Sequence, residues 1–78
     1  MTSILKLKPG DVARICGYHQ GQPMYRRRLL AMGLTKGVIF TVERVAPLGD
    51  PIQIKLRNFS LTLRKKEAEL LKIERMDA

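Results

Sequence analysis

Ile52-Gln53-Ile54-Lys55-Leu56-Arg57-Asn58-Phe59-Ser60-Leu61-Thr62-Leu63-Arg64 alternates apolar and polar side chains on both sides of Arg57-Asn58. Ile52, Ile54 and Leu56 share one face of a period-two pattern, and Phe59, Leu61 and Leu63 do the same, which predicts two half-buried strands. Arg57-Asn58 reads as a tight hairpin turn, with Asn58 suited to a left-handed backbone. So short a connection leaves no room for a helix between these strands.

Working upstream, Val38, Phe40 and Val42 alternate with Ile39, Thr41 and Glu43. Both faces carry apolar weight, as a long bent barrel strand would. Ala46-Pro47-Leu48-Gly49-Asp50-Pro51 then interrupts the chain with a loop expected to be rigid: Pro51 holds Asp50 extended, and Gly49 offers positive φ. Further upstream, Pro23 opens a helix where its missing N–H is harmless, and Gly33 closes it. At about 100° per residue, Tyr25, Leu29 and Met32 form one stripe with Arg28 at its edge. Arg26 and Leu30 share a side off that stripe, and Arg27 and Ala31 lie opposite it. The three consecutive arginines therefore do not form one basic ridge.

Lys8-Pro9-Gly10 signals a type II turn. Asp11 to Cys16 follows as a strand with Ala13 and Ile15 on one face, and Gly17 to Gln22 reads as loop. Downstream, Lys65 to Ala68 has room for a single turn, expected to be 3-10. Leu71 and Ile73 face inward on a last strand. The order predicts a mainly β fold, a small SH3-like five-stranded barrel. One α-helix is inserted between the first two strands, and a short 3-10 turn precedes the last. An OB-type barrel would place its helix between the third and fourth strands, which the hairpin forbids. The expected core is Ile15, Phe40, Val42, Ile54, Leu56, Phe59, Leu61 and Ile73, with Tyr25, Leu29 and Met32 capping one end.

The 78 residues make a single domain, 1–78, with its folded part at about 7–75. An apolar share of 45 % argues against disorder. One cysteine excludes an internal disulfide framework. No apolar run approaches the ~18–20 residues of a membrane span, and the first residues lack a secretory h-region, so a cytoplasmic location is expected. Cys16 and His19 are the whole soft-ligand inventory, so no metal site and no tightly bound cofactor are expected, any divalent metal ion meeting the chain only transiently. No residue stands out to orient His19 as the base of a Cys–His pair, and the glycines are scattered singly rather than gathered in a phosphate loop. An enzyme is the least favoured class.

Read together, Leu7-x-Pro9-Gly10, Arg27-Arg28-Leu29-Leu30-Ala31-Met32-Gly33-Leu34 with Gly37, Val45 to Ile52, Leu61-Thr62-Leu63-Arg64 and Glu67-Ala68 resemble the ferrous iron transport protein A (FeoA) family. Any one of these is weak alone, but the set in order spans nearly the whole chain. Asn58 departs from the family at a turn where Gly is frequent. The resemblance implies a small cytoplasmic SH3-like accessory protein of bacterial ferrous iron uptake. Its implied partner is the membrane transporter, protein B, through that transporter's cytosolic GTP-binding domain. The family's metal-binding label finds no support in the ligand count of this chain.

A formal charge of +8 could complement an acidic partner or hold the domain weakly at the inner membrane face. The rival reading is a basic SH3-like nucleic-acid-binding domain. Only Tyr18 and Tyr25 remain to stack bases if both phenylalanines are buried, and Tyr25 lies on the helix core stripe, so nucleic acid is disfavoured. A polyproline groove would need Trp and more exposed aromatics. The expected partner surface combines Arg26 and Leu30 on the helix with Leu48 and Asp50 in the rigid loop, an Arg beside apolar anchors being the usual makeup of a hot spot. The competing structural readings are flank packing for Leu30 and Leu48, and loop capping or an Arg28 pair for Asp50.

Overall fold

The computed structural model describes residues 3–76. Five strands form one antiparallel sheet: β1 Val12–Tyr18, β2 Ile39–Val45, β3 Ile52–Lys55, β4 Ser60–Leu63 and β5 Leu71–Arg75. Their spatial order is β4-β3-β2-β1-β5. Helix α1, Pro23–Ala31, lies in the β1–β2 connection, and α2, Lys65–Ala68, links the two edge strands. A 3-10 turn at Ile4–Lys6 precedes β1, with Ser3 accepting the Leu5 N–H.

The expected strand order, the inserted helix and the hairpin phase are all present. Ile52 pairs with Leu63 and Ile54 with Leu61, so the inward residues of β3 meet those of β4. Ala13 and Ile15 are buried together on β1, opposite Phe40 and Ile73 respectively. Register shifts interrupt β1 between Ile15 and Gly17 and β2 between Val42 and Arg44. Such irregularities raise local twist and bend the strands. Pro23 occupies the first turn of α1, and Gly33, at φ 86°, ends it by donating to the Leu30 carbonyl. Leu34 N–H then reaches back to Leu29, which satisfies another terminal carbonyl.

Several expectations are corrected. Phe59 is 50 % exposed rather than core, because β4 begins at Ser60 and residues 56–59 leave the ladder. Leu56 N–H donates to the Phe59 carbonyl across that turn, and Asn58 has no positive φ. Leu61 is only half-buried. The turn before the last strand is α rather than 3-10, with Ala68 N–H on Arg64 O and Glu69 N–H on Lys65 O. Gly17 and Tyr18 belong to β1 and pair with Lys72 and Leu71, so the loop there is shorter than expected. The core also takes in Ile4, Leu7, Leu34, Ile52, Leu63, Ala68, Leu70 and Leu71. Tyr25 and Met32 pack at its margin as expected, and Leu29 is fully buried. No helix among the described residues is long and apolar enough to cross a membrane.

Candidate partner-binding surface

Helix α1 is short, and its one fully buried side chain, Leu29, pins it to the sheet. Tyr25 is partly buried beside it, and the other side chains of the helix are exposed. Leu30, next along the chain, is turned about 100° away and is 42 % exposed, as its position off the core stripe predicts. Arg26 lies with its guanidinium carbon 5.5 Å from the centre of the Tyr18 ring, a cation–π contact. The Tyr18 hydroxyl donates to the Leu34 carbonyl just beyond α1. Burial pushes that hydroxyl's pKa up, and the Arg26 charge partly opposes the rise. Tyr18 thus ties the end of β1 both to the helix and to the segment after it.

The β2–β3 loop is fixed by its own backbone. Ala46 N–H donates to Pro51 O, and Gly49 N–H to Ala46 O, with Gly49 at φ 81°. Leu48 stands at the tip and is 94 % exposed, with nothing to pack on. Asp50 points the other way in its chemistry: its Oδ1 accepts the Lys65 N–H at 3.0 Å and so caps the start of α2. Arg28 does not pair with Asp50. Its Nε lies 3.0 Å from Glu67 Oε2.

Glu67 is 4 % exposed, the one buried charged residue described. Its Oε1 accepts the Arg64 N–H at 3.0 Å, while Oε2 makes no hydrogen bond and is balanced by the Arg28 charge. Tyr25 and Arg28 on α1 and Asp50 on the loop line a shallow pocket of about 300 Å³ with Arg64, Lys66 and Glu67. The structure therefore brings α1 and the β2–β3 loop to one side of the molecule across α2. Of the four expected surface residues, Leu30 and Leu48 are free apolar groups and Arg26 is held over Tyr18. Asp50 spends one carboxylate oxygen on α2.

No hydrogen bond joins Cys16 and His19. The Cys16 thiol sits 3.8 Å from Arg14 O and 3.9 Å from Glu74 Oε2, while His19 is exposed beyond the strand end, its N–H on Leu70 O. No group of three or more His, Cys, Asp or Glu among the described residues is placed to hold a metal ion.

Sequence reasoning missed a second surface. Val38, Ile39, Leu56 and Phe59 line an open groove of about 660 Å³ with Arg57 and the two glycines, 33 and 37, that follow α1. Ile39 and Phe59 are both about half exposed. The signal was there in Ile39, the apolar residue on the outward face of β2.

Known proteins resemble this chain throughout. The profile of the family described as FeoA domain matches residues 2–75. The Fe(2+) transport protein A/Fe(2+) transporter FeoB fusion protein of Porphyromonas gingivalis is 33 % identical over 69 residues, which are 88 % of this chain. The chain spans only 8 % of that relative's length. The NMR structure of a FeoA-like protein from Clostridium acetobutylicum superposes with a TM-score of 0.86 at 31 % identity, over 100 % of this chain and 93 % of that one. FeoA of Stenotrophomonas maltophilia, solved in complex with zinc and described as a prokaryotic SH3 domain protein, superposes at 0.80 over 95 % of this chain and 91 % of its own. At 19 % identity that last likeness concerns the fold alone, and it carries the SH3-like description.

Proposed function

The chain belongs to the FeoA family, and on that premise we propose that it acts in ferrous iron uptake as an accessory protein that binds the cytosolic GTP-binding part of the ferrous iron transporter, protein B. The observation that carries the reading is the Porphyromonas relative, in which a segment 33 % identical to this chain is part of one polypeptide with the transporter. Covalent linkage raises the effective concentration of two modules, so contacts made within such a fusion need only be weak. A separate chain must meet its partner by diffusion. A net charge of +8 favours that encounter if the transporter's cytosolic face is acidic, and it also suits a position near anionic lipid.

Rigid, exposed apolar groups support a docking role. Leu48 sits on a loop whose backbone is already hydrogen-bonded, and Leu30 on a helix anchored by Leu29, so neither loses much freedom on binding. Arg26 adds a cation beside Leu30. Asp50 contributes indirectly, by holding the loop against α2. Iron enters this reading as the transporter's cargo. The test is a pull-down of this chain with the cytosolic domain of protein B, in the GTP-bound, GDP-bound and nucleotide-free states. Capture in at least one state is expected, and capture in none removes the proposal.

A further inference from the structure

The groove between the Gly33–Gly37 segment and the β3–β4 turn has the size, lining and charge of a ligand site, and none of Arg26, Leu30, Leu48 and Asp50 lines it. Its volume of about 660 Å³ falls within the range of roughly 300–1,000 Å³ common to binding pockets. The walls are Val38, Ile39, Leu56 and Phe59. Gly33 and Gly37, both at positive φ, complete the lining, and a Cβ at either would meet no atom within 4 Å. Phe59 and Ile39 are held in position by the turn and by β2, yet about half of each faces solvent. Large apolar groups exposed side by side around a concavity mark a place where another molecule excludes water.

The charge on this groove is one-sided. Arg57 lines it and makes no hydrogen bond or ion pair with any described residue, and no acidic residue lines it. The acidic side chains near the sheet are occupied elsewhere: Glu43 by Ser60 and Gln53, Glu74 by Arg14, and Asp11 by Arg75. A second copy of this chain, at +8, would bring like charge to like. A flat lipid surface would leave the concavity empty.

We infer that this groove binds an acidic peptide segment of a partner protein. One bulky apolar side chain of that segment sits between Ile39 and Phe59, and a neighbouring carboxylate pairs with Arg57. Apolar contact with the walls supplies affinity, while the unpartnered guanidinium selects against basic and neutral sequences. The inference does not depend on the transport reading, since it needs neither iron nor a nucleotide.

Selection from a displayed library of random 12-residue peptides against the full chain tests it. Winning sequences should be rich in Asp and Glu around a Phe, Leu, Trp or Ile. Their synthetic peptides should perturb the amide resonances of Val38, Ile39, Arg57 and Phe59. Affinity should fall at least tenfold in Ile39→Asn and in Phe59→Ser, and about fivefold in Arg57→Glu. All three positions are exposed enough that the fold should persist, which the dispersion of the amide spectrum verifies. No enrichment overturns the proposal, as does enrichment of sequences lacking acidic residues, or binding indifferent to the three substitutions. The same preparation is assayed for self-association by sedimentation, for binding to phosphatidylglycerol vesicles and for binding to a 12-mer of thymidylate. A groove-dependent signal in any of these, without a peptide signal, assigns the groove to that occupant and overturns the peptide.

Discussion

Arg28 on α1 and Glu67 on α2 meet with Nε and Oε2 3.0 Å apart, and the two residues differ sharply in environment. Glu67 is buried at 4 % exposure, whereas the Arg28 side chain is 69 % exposed. The pair joins the only two α-helices among the described residues, one in the β1–β2 connection and the other between the sheet edges. Because Glu67 also takes the Arg64 N–H, its carboxylate does two jobs, capping α2 and holding α1 beside it.

Glu67→Ala removes both. The uncapped Arg64 N–H and the lost α1–α2 contact should together cost ~1–3 kcal/mol. Arg28→Ala should cost a similar ~1–3 kcal/mol, because although the guanidinium is largely solvated its loss leaves the Glu67 Oε2 charge buried without a counter-ion. The double variant should be less destabilised than the sum of the two, by a coupling of ~0.5–2 kcal/mol. Urea titrations of the four proteins measure this directly, and simple additivity would show that the contact does not link the helices.

The two phenylalanines should respond very differently to truncation. Phe40→Ala empties a fully buried site and should cost ~3–5 kcal/mol. Phe59→Ala should cost about 1 kcal/mol or less, since half of the ring already faces water. Equal losses of melting temperature would place Phe59 back in the core.

Acid should weaken the sheet through Glu43. Ser60 Oγ donates to its Oε1 at 2.6 Å and Gln53 Nε2 at 3.2 Å, and these bonds, the serine's above all, hold the carboxyl below its ordinary pKa. A depressed folded value means that the unfolded chain takes up the proton first as pH falls. The stabilisation is therefore complete above the ordinary glutamate value of about 4.3 and is lost as pH drops through the folded value. Glu43→Gln should show a flatter fall in melting temperature over that acid range than the parent chain, with little difference between the two slopes at neutral pH.

Leu30→Glu separates contact from core. With its side chain 42 % exposed and off the buried stripe, the variant should keep its circular dichroism spectrum and unfold within about 1 kcal/mol of the parent. It should also fail to restore Fe²⁺-dependent growth to a strain lacking this protein. Restored growth removes Leu30 from the docking surface, and a collapsed spectrum assigns it to the fold.

What the sequence disclosed followed periodicity. β3 and β4 could be phased from Ile52 to Leu63 because alternation persists as long as the ladder does. Phe59 was misplaced by extending that alternation one residue past the first rung, where the backbone turns and a period no longer fixes direction. Ile4, Leu34 and Leu70 escaped for a related reason. Each lies in a turn or connection too short to carry a pattern, and each is buried by tertiary packing alone. Glu67 sits three residues after Arg64, the spacing of a capping box, but an Arg in place of Ser or Thr concealed it. On the candidate surface, the exposure of Leu30 followed from helix geometry and that of Leu48 from the loop. Of the groove only Ile39 was legible, as an apolar residue on the outward face of β2, because the concavity around it depends on two turns far apart in sequence.

The sheet order places β1, the first strand, between β2 and β5, the last. Arg14 meets Glu74 across that seam although 60 positions separate them in the chain. Such pairing is slow to find, since the entropy of closing so long a loop is lost before any contact repays it, and domains dominated by distant antiparallel pairs fold in roughly milliseconds to seconds. During synthesis, β1 and the α1 segment therefore emerge with no second neighbour, and one side of β1 stays an open edge until β5 has been made. At ~5–20 residues per second that interval lasts several seconds, which makes the nascent chain, rather than the finished protein, the form most exposed to aggregation and to chaperones.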